Sequence, residues 1–427
     1  MNSSRSFLKR LMIVYMILLV GVALTNYIID PYFCYRESSM EKYFSWDQRY
    51  SPVWRYGITK QFRGYNALWV GSSVSAYVDA EYLNGIMDIN CCTGILAGGR
   101  PNLYEKYIRN VIENNELDYI FYEFNVPHWT FTSIGTECDL DTWLPKYIQT
   151  KTLLDDGEYL LNRTVTEQSA YIIAGGLWDK VIKPGSYISD IDSIMPLDAY
   201  YSTRIMAPRI YSNIYYYGPI SHDIIMKDYL NAGMDNIDKY VAPLIEENPD
   251  TEFIFVAPPT GAVLPATIYE SGYLEEWLDV SEAIYRRLLS YPNVRIILSN
   301  LDFDYNTNCN HYLDDGHYEP SGAIMMMDCV ASGTYEVTLN NMEEIRDAYV
   351  HVARDFEWPF LKINFEGDQV LELQRQLVLL GFSVEATGVF DTATENAIKQ
   401  IQEENGFEVT GIVFSDTADY INNKCGK

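Results

Sequence analysis

The sequence has no Cys-x-x-Cys pair, no cysteine–histidine metal spacing, no Gly-x-Gly-x-x-Gly and no phosphate loop with Lys. The first two absences remove the usual marks of a zinc site. The other two leave nucleotide chemistry without its backbone cradle. Basic residues are scarce as well, 31 against 59 acidic for a net charge of −28. Nucleic acid and broad adhesion to anionic lipid both need positive surface, so neither is expected. The seven cysteines (Cys34, Cys91, Cys92, Cys138, Cys309, Cys329, Cys425) cannot all pair within one chain. Buried thiols with one or two disulfides are the expected arrangement.

Apolar residues are plentiful. A chain of 427 residues, 48% hydrophobic and 21% charged, is globular, with room for two or three domains and one large core. Its 36 tyrosines suit a half-buried β surface as well as carbohydrate stacking. Arg5, Lys9 and Arg10 precede Leu11–Ile29, a run of 19 residues without a charge. That run is long enough to span a bilayer. Basic residues before it place residues 1–10 in the cytoplasm and everything after Asp30 outside. No small-x-small cleavage site follows, so an uncleaved signal anchor at 11–29 is expected rather than a signal peptide.

From residue 66 onward, strand-like and helix-like segments alternate. Strands are expected at 67–71, 117–126, 252–259 and 294–301, and helices at 101–115, 221–247 and 273–291. The strands are nearly all apolar, as strands buried on both faces are. The fold class expected over 30–345 is therefore α/β, a parallel sheet layered between helices. Residues 127–220, rich in Tyr, Trp, Gly and Pro, interrupt the rhythm as an insertion over one end of the sheet. A linker is placed at 346–365, within which one helix ends before "EWPF". A compact unit of three helices and two glycine turns follows at 366–427, with Ser415 as N-cap of the third helix.

Open α/β sheets bind ligands beyond the carboxyl ends of their strands. The strand-end segments here carry Ser72 and Ser73, then Gly98 and Gly99, then Asn125 and His128, and finally His311, Asp314, Asp315 and His317. A serine hydroxyl needs a base, His suits neutral pH, and the imidazole needs a partner to fix its tautomer. Ser73, His317 and Asp314 satisfy those needs, with backbone donors at Ser73 and Gly98, and Asn125, for an oxyanion. Taken alone, Ser73 reads as a helix cap; paired with Asp314 and His317 it reads as a nucleophile. His311 and Asp315 are the fallback base and acid, and His128 reads as a surface or packing residue.

"VGSSVSAY" at 70–77 resembles the first block of the SGNH/GDSL hydrolase superfamily, and "DDGHY" at 314–318 its last, Asp-x-x-His. Gly98/Gly99 and Asn125 fall in the order of the intervening oxyanion blocks. Ser72 stands where the name-giving Asp would be, and "EFNV" replaces Gly-x-Asn-Asp. The resemblance implies hydrolysis or transfer of acyl esters through an acyl-serine, without a cofactor or metal. The C-terminal segments "LQRQLVLLGF" and "GVFDTATENAIKQIQEENGFEVTGIV" resemble the type 1 peptidoglycan-binding domain. Together these imply a membrane-anchored envelope protein with extracytoplasmic domains. Its implied partners are peptidoglycan and an acylated polysaccharide, and transfer would add a membrane acyltransferase. The alternative is a non-catalytic wall-binding scaffold in which Ser73 and His317 are structural.

Overall fold

The computed structural model describes residues 2–31, 35, 64–96, 98–113, 115–124, 156–184, 225–312 and 316–426. Its centre is a five-stranded sheet of strands β1 (Ala67–Gly71), β2 (Cys91–Ile95), β3 (Tyr119–Glu123), β4 (Glu252–Ala257) and β5 (Val294–Leu298). They run in the order β2-β1-β3-β4-β5, and every neighbouring pair is parallel. The chain leaves β1 toward β2, then crosses back over β1 to β3. The strand order therefore reverses at the carboxyl end of β1, the place where such sheets open a crevice.

Period-two alternation sends successive side chains to opposite faces. Leu68, Val70, Ile120, Tyr122, Phe253, Phe255 and Ile296 meet the helices Pro101–Ile112, Leu274–Leu288 and Met342–Arg354 in one core. Ala67, Trp69, Phe121, Ile254, Val256 and Ile297 meet Ala80–Met87, Val263–Glu270 and Pro320–Ser332 in another. Each buried Val, Leu, Ile or Phe contributes about 1.5–3 kcal/mol, so both helix layers are held by the sheet.

Strand β2 goes beyond the sequence expectation. "CCTGI" is short and contains Gly94, which weakens a strand reading. The structure supplies the reason for that glycine: a Cβ there would lie 2.2 Å from Tyr107 Cε1. The buried Tyr107 ring lies against the β2 backbone. Strand β1 ends where expected, while β3, β4 and β5 end sooner, and β5 turns into a 3-10 turn at Ser299–Leu301. Helix Met342–Arg354 runs through the boundary expected at 345/346, and its Ile345, Tyr349 and Ala353 join the α/β core. Within the expected insertion, Asp156–Leu160 and Arg163–Leu177 are helices, the second continuing to Ile182. The described cysteines Cys91, Cys92, Cys309, Cys329 and Cys425 are thiols, while Cys34 and Cys138 lie outside the described residues.

The N-terminal helix Asn2–Ile29 is long and apolar enough to cross a membrane from Ser6 to Ile29, as either a span or a signal sequence. The C-terminal region is helical, with helices Asp368–Leu379, Thr392–Glu404 and Ser415–Cys425. Ser415 is the first helical residue there and not the cap: the N-cap position is Phe414, and the Asp416 carboxylate accepts from the Thr417 amide.

Gly94→Ala should force Tyr107 or the β2 backbone to move. The expected loss is about 1–3 kcal/mol, measured as a lowered urea midpoint at unchanged slope.

Candidate active site at the β1 corner

Gly71 ends β1, and Ser73–Ser75 form a 3-10 turn whose N-cap is Ser72. The corner is set by a carboxylate arriving from β3. Glu123, 3% exposed, accepts from the Ser72 amide at 2.7 Å and from the Ser72 hydroxyl at 2.6 Å. It also accepts from the Ser75 hydroxyl at 2.6 Å, and Trp69 Nε1 donates to that same hydroxyl oxygen at 3.3 Å. Three donors are what a carboxylate removed from water needs. The packing leaves no space at Gly71: a Cβ would lie 2.4 Å from Ser75 Oγ and 2.7 Å from Glu123 Oε2. Ser72 and Ser75 are thus committed to holding the turn.

Ser73 is partly exposed and makes a different contact. Its Oγ lies 2.9 Å from Nε2 of His317, a residue 244 positions away. In the tautomer with its proton on Nδ1, Nε2 accepts from the serine hydroxyl. The approach to His317 is built from aromatic residues. Tyr312 and Tyr318 pair as an antiparallel bridge around the loop and are buried. The Tyr312 hydroxyl reaches Pro259 O at 2.8 Å and Asn306 Oδ1 at 2.6 Å. The His317 loop is thereby tied to the segment that follows β4. Helix Pro320–Ser332 begins three residues later, with Pro320 in its first turn.

The remaining expected residues divide into two groups. Gly98 (φ +68) sits in the turn after β2, which is joined to the corner by the Leu96 amide donating to Gly71 O at 2.7 Å. Asp314, Asn125, Asp315 and His128 lie outside the described residues. His311 is engaged elsewhere: its ring packs on Tyr305 at 4.2 Å, and its Nε2 lies 3.0 Å from Asn308 Nδ2. Burial pushes the Cys309 and Cys329 thiols up to about 11, so both stay protonated at neutral pH and neither is a thiolate nucleophile. Among the described residues, no cluster of three His, Cys, Asp or Glu is placed to hold a metal.

Glu123 was not anticipated as a site residue. Its signal was available, since it is the one charge within "YIFYEF" and a strand buried on both faces must give a charge partners.

The C-terminal region has its own core of Val370, Leu373, Leu377, Phe390, Ile398 and Ile401. Two buried glutamines clamp its two glycine turns in the same way. Gln374 Oε1 accepts from Gly388 N at 2.8 Å while its Nε2 donates to Val389 O at 2.7 Å. Gln402 Oε1 accepts from Gly411 N at 2.8 Å while its Nε2 donates to Ile412 O at 2.7 Å. Between the first and third helices lies a groove of about 440 Å³ lined by residues including Asp368, Glu372, Gln376 and Asn422.

Residues 366–419 match the family described as "Putative peptidoglycan binding domain". This match supports association with the cell wall and peptidoglycan as a partner. With the apolar N-terminal helix, it points to the cell envelope. No curated protein and no solved structure matches the chain.

Replacing Glu123 with Leu should leave two serine hydroxyls and one amide without their acceptor. The expected cost is about 3 kcal/mol or more, against about 1–2 kcal/mol for Glu123→Gln. Urea titration of the two variants beside wild type checks both figures, and an unchanged midpoint in both would remove Glu123 as the anchor of the corner.

Proposed function

We propose that the protein is an extracytoplasmic serine esterase or O-acyltransferase acting on acyl groups of a cell-wall or exported polysaccharide, built on an SGNH/GDSL-like domain. The single observation that carries this reading is the contact of 2.9 Å between Ser73 Oγ and His317 Nε2 at the reversal point of the sheet. A scaffold has no need of that contact. Nucleophilic catalysis does, because it requires hydroxyl and base within hydrogen-bond reach.

On this reading Ser73 Oγ attacks the acyl carbonyl carbon as its proton passes to His317 Nε2. The tetrahedral oxyanion is held by backbone donors of the corner and of the Gly98 turn, with Asn125 as a further donor. Collapse breaks the bond to the sugar oxygen, which takes the proton from His317 and leaves an acyl-serine. Water or a second sugar hydroxyl then attacks the acyl carbon as its proton passes to His317, and collapse breaks the bond to Ser73 Oγ, which takes that proton back. Asp314 is the residue proposed to hold the imidazolium. The helical domain at the C-terminus keeps the enzyme on peptidoglycan, and the N-terminal helix keeps it on the membrane.

Full-length protein treated with a fluorophosphonate probe and an activated acetyl ester tests the chemistry. Ser73→Ala should abolish labelling, and His317→Ala should slow labelling and turnover at least about a hundredfold, both with the wild-type urea midpoint. Labelling that survives in Ser73→Ala, or folded wild type that never labels, would favour the scaffold. Truncation after residue 365 should abolish co-sedimentation with insoluble peptidoglycan; undiminished sedimentation would place wall binding elsewhere.

A further inference from the structure

The helical segment 163–182 is apolar in an unusual way. Its first turns are ordinary, with Asn162 as N-cap and Arg163 paired to Glu167 at 2.7 Å. From Ser169 to Leu177 it carries no charge. One face, with Val165, Gln168, Ser169, Ile172, Gly175 and Asp179, is buried. Much of the rest is apolar yet uncovered: Tyr171, Ile173, Leu177, Trp178, Val181 and Ile182 are 39–71% exposed, and Lys180 is the one exposed charge among them. A cluster of exposed apolar side chains of this kind marks a contact surface.

What covers this surface follows from where it is fastened. The segment packs against the N-terminal apolar helix. Asn26, near the end of that helix, donates to Leu160 O at 2.8 Å and Thr166 Oγ1 at 2.9 Å. The Tyr159 hydroxyl donates to Asp30 Oδ1 at 2.9 Å, and the Tyr35 amide to Asp30 Oδ2 at 2.8 Å. Asn26 and Asp30 are fully buried by these contacts. On the N-terminal helix Leu19, Val22, Ala23, Asn26 and Ile29 form a partly or fully covered stripe at helical spacing, while most of the remaining surface is exposed. The uncovered apolar surface of 163–182 therefore continues the surface of the N-terminal helix. At its far end Lys183 Nζ lies 5.6 Å from the Trp178 ring centroid. Tryptophan with a flanking lysine is the pairing found at the headgroup level of membranes.

We infer that the exposed face of residues 171–182 lies in lipid beside the N-terminal helix, in the leaflet from which that helix emerges at Asp30. The segment would hold the α/β domain against the membrane surface rather than leave it on a free tether. The inference rests on the N-terminal helix being a membrane span.

The test uses the full chain in vesicles of phosphatidylethanolamine and phosphatidylglycerol, with a benzophenone amino acid in place of Trp178 or of Val181. Val181 is 71% exposed, so its replacement leaves the core intact. Position 17 in the N-terminal helix and position 409 in the C-terminal domain serve as membrane and aqueous controls. After irradiation, lipid-mass adducts at 17, 178 and 181 but not at 409 are expected. Adducts at 17 without any at 178 or 181 overturn the inference and leave the span intact. Lipid adducts at none of the positions refute the span, and the inference with it. In cell membranes, a protein adduct at 178 and 181 in place of lipid would assign the surface to a protein partner and overturn the lipid reading.

Discussion

The β1 corner depends on one buried carboxylate. Glu123 ends β3 with its side chain out of water, and an uncompensated charge in such a place costs several kcal/mol. The compensation comes from the neighbouring strand end, through the Ser72 amide and the hydroxyls of Ser72 and Ser75. Meeting those donors fixes how far β1 and β3 extend past one another. It also explains why residue 71 has no side chain, since a Cβ would strike both the carboxylate and Ser75. Of the three serines in "GSSVS", two are consumed in satisfying Glu123. The hydroxyl of Ser73 is the one left for His317. The corner that a cap motif would explain locally is, in three dimensions, a junction of two strands.

The layered α/β organisation was legible because parallel strands buried on both faces write themselves as apolar runs. The pairing of Ser73 with His317 was legible for a different reason: strand ends converge on one edge of a parallel sheet, so residues far apart in sequence can be placed together from strand order alone. What escaped were features decided by a single packing contact. β2 is five residues with a glycine in them, and only the Tyr107 ring explains the glycine. Glu123 hid in a stretch read for its neighbour Asn125. Met342–Arg354 reads as a helix from its sequence, but its amphipathic pattern says that one face is covered without saying by what, and it is the α/β core that covers it.

The C-terminal domain shows how a repeat can exist in structure and be obscured in sequence. Gln374 and Gln402 perform the same operation, each bridging the amide of a glycine and the carbonyl of the residue after it. Each glycine has positive φ, +80 at Gly388 and +77 at Gly411, where a side chain would be strained. Each amide side chain donates and accepts at once, so neither glutamine is buried with an orphaned group. The glutamines are spaced differently from the glycines they clamp, however, and no fixed period survives. A small helical domain with so modest a core gains definition from such clamps.

The two ends of the chain reach opposite sides of the sheet. Ile29 and Tyr35, with the helices that grip them, pack into the core containing Leu68, Val70 and Tyr122. Phe356, Phe360 and Ile412, which join the C-terminal domain to the rest, pack into the core containing Trp69, Phe121 and Ile254. The bridge between Leu361 and Val413 ties that junction to the second glycine turn. The sheet therefore stands between the N-terminal helix and the C-terminal domain, and the Ser73–His317 edge lies between the two layers rather than on either. On the proposed reading this arrangement does chemical work. A polymer held by the C-terminal domain is presented at a high effective concentration to an edge whose distance from the membrane is limited by the other anchor. Such a site needs little intrinsic affinity for a single acylated sugar. Selectivity would then come from what both anchors bring within reach, consistent with a corner built from few residues and held by one carboxylate.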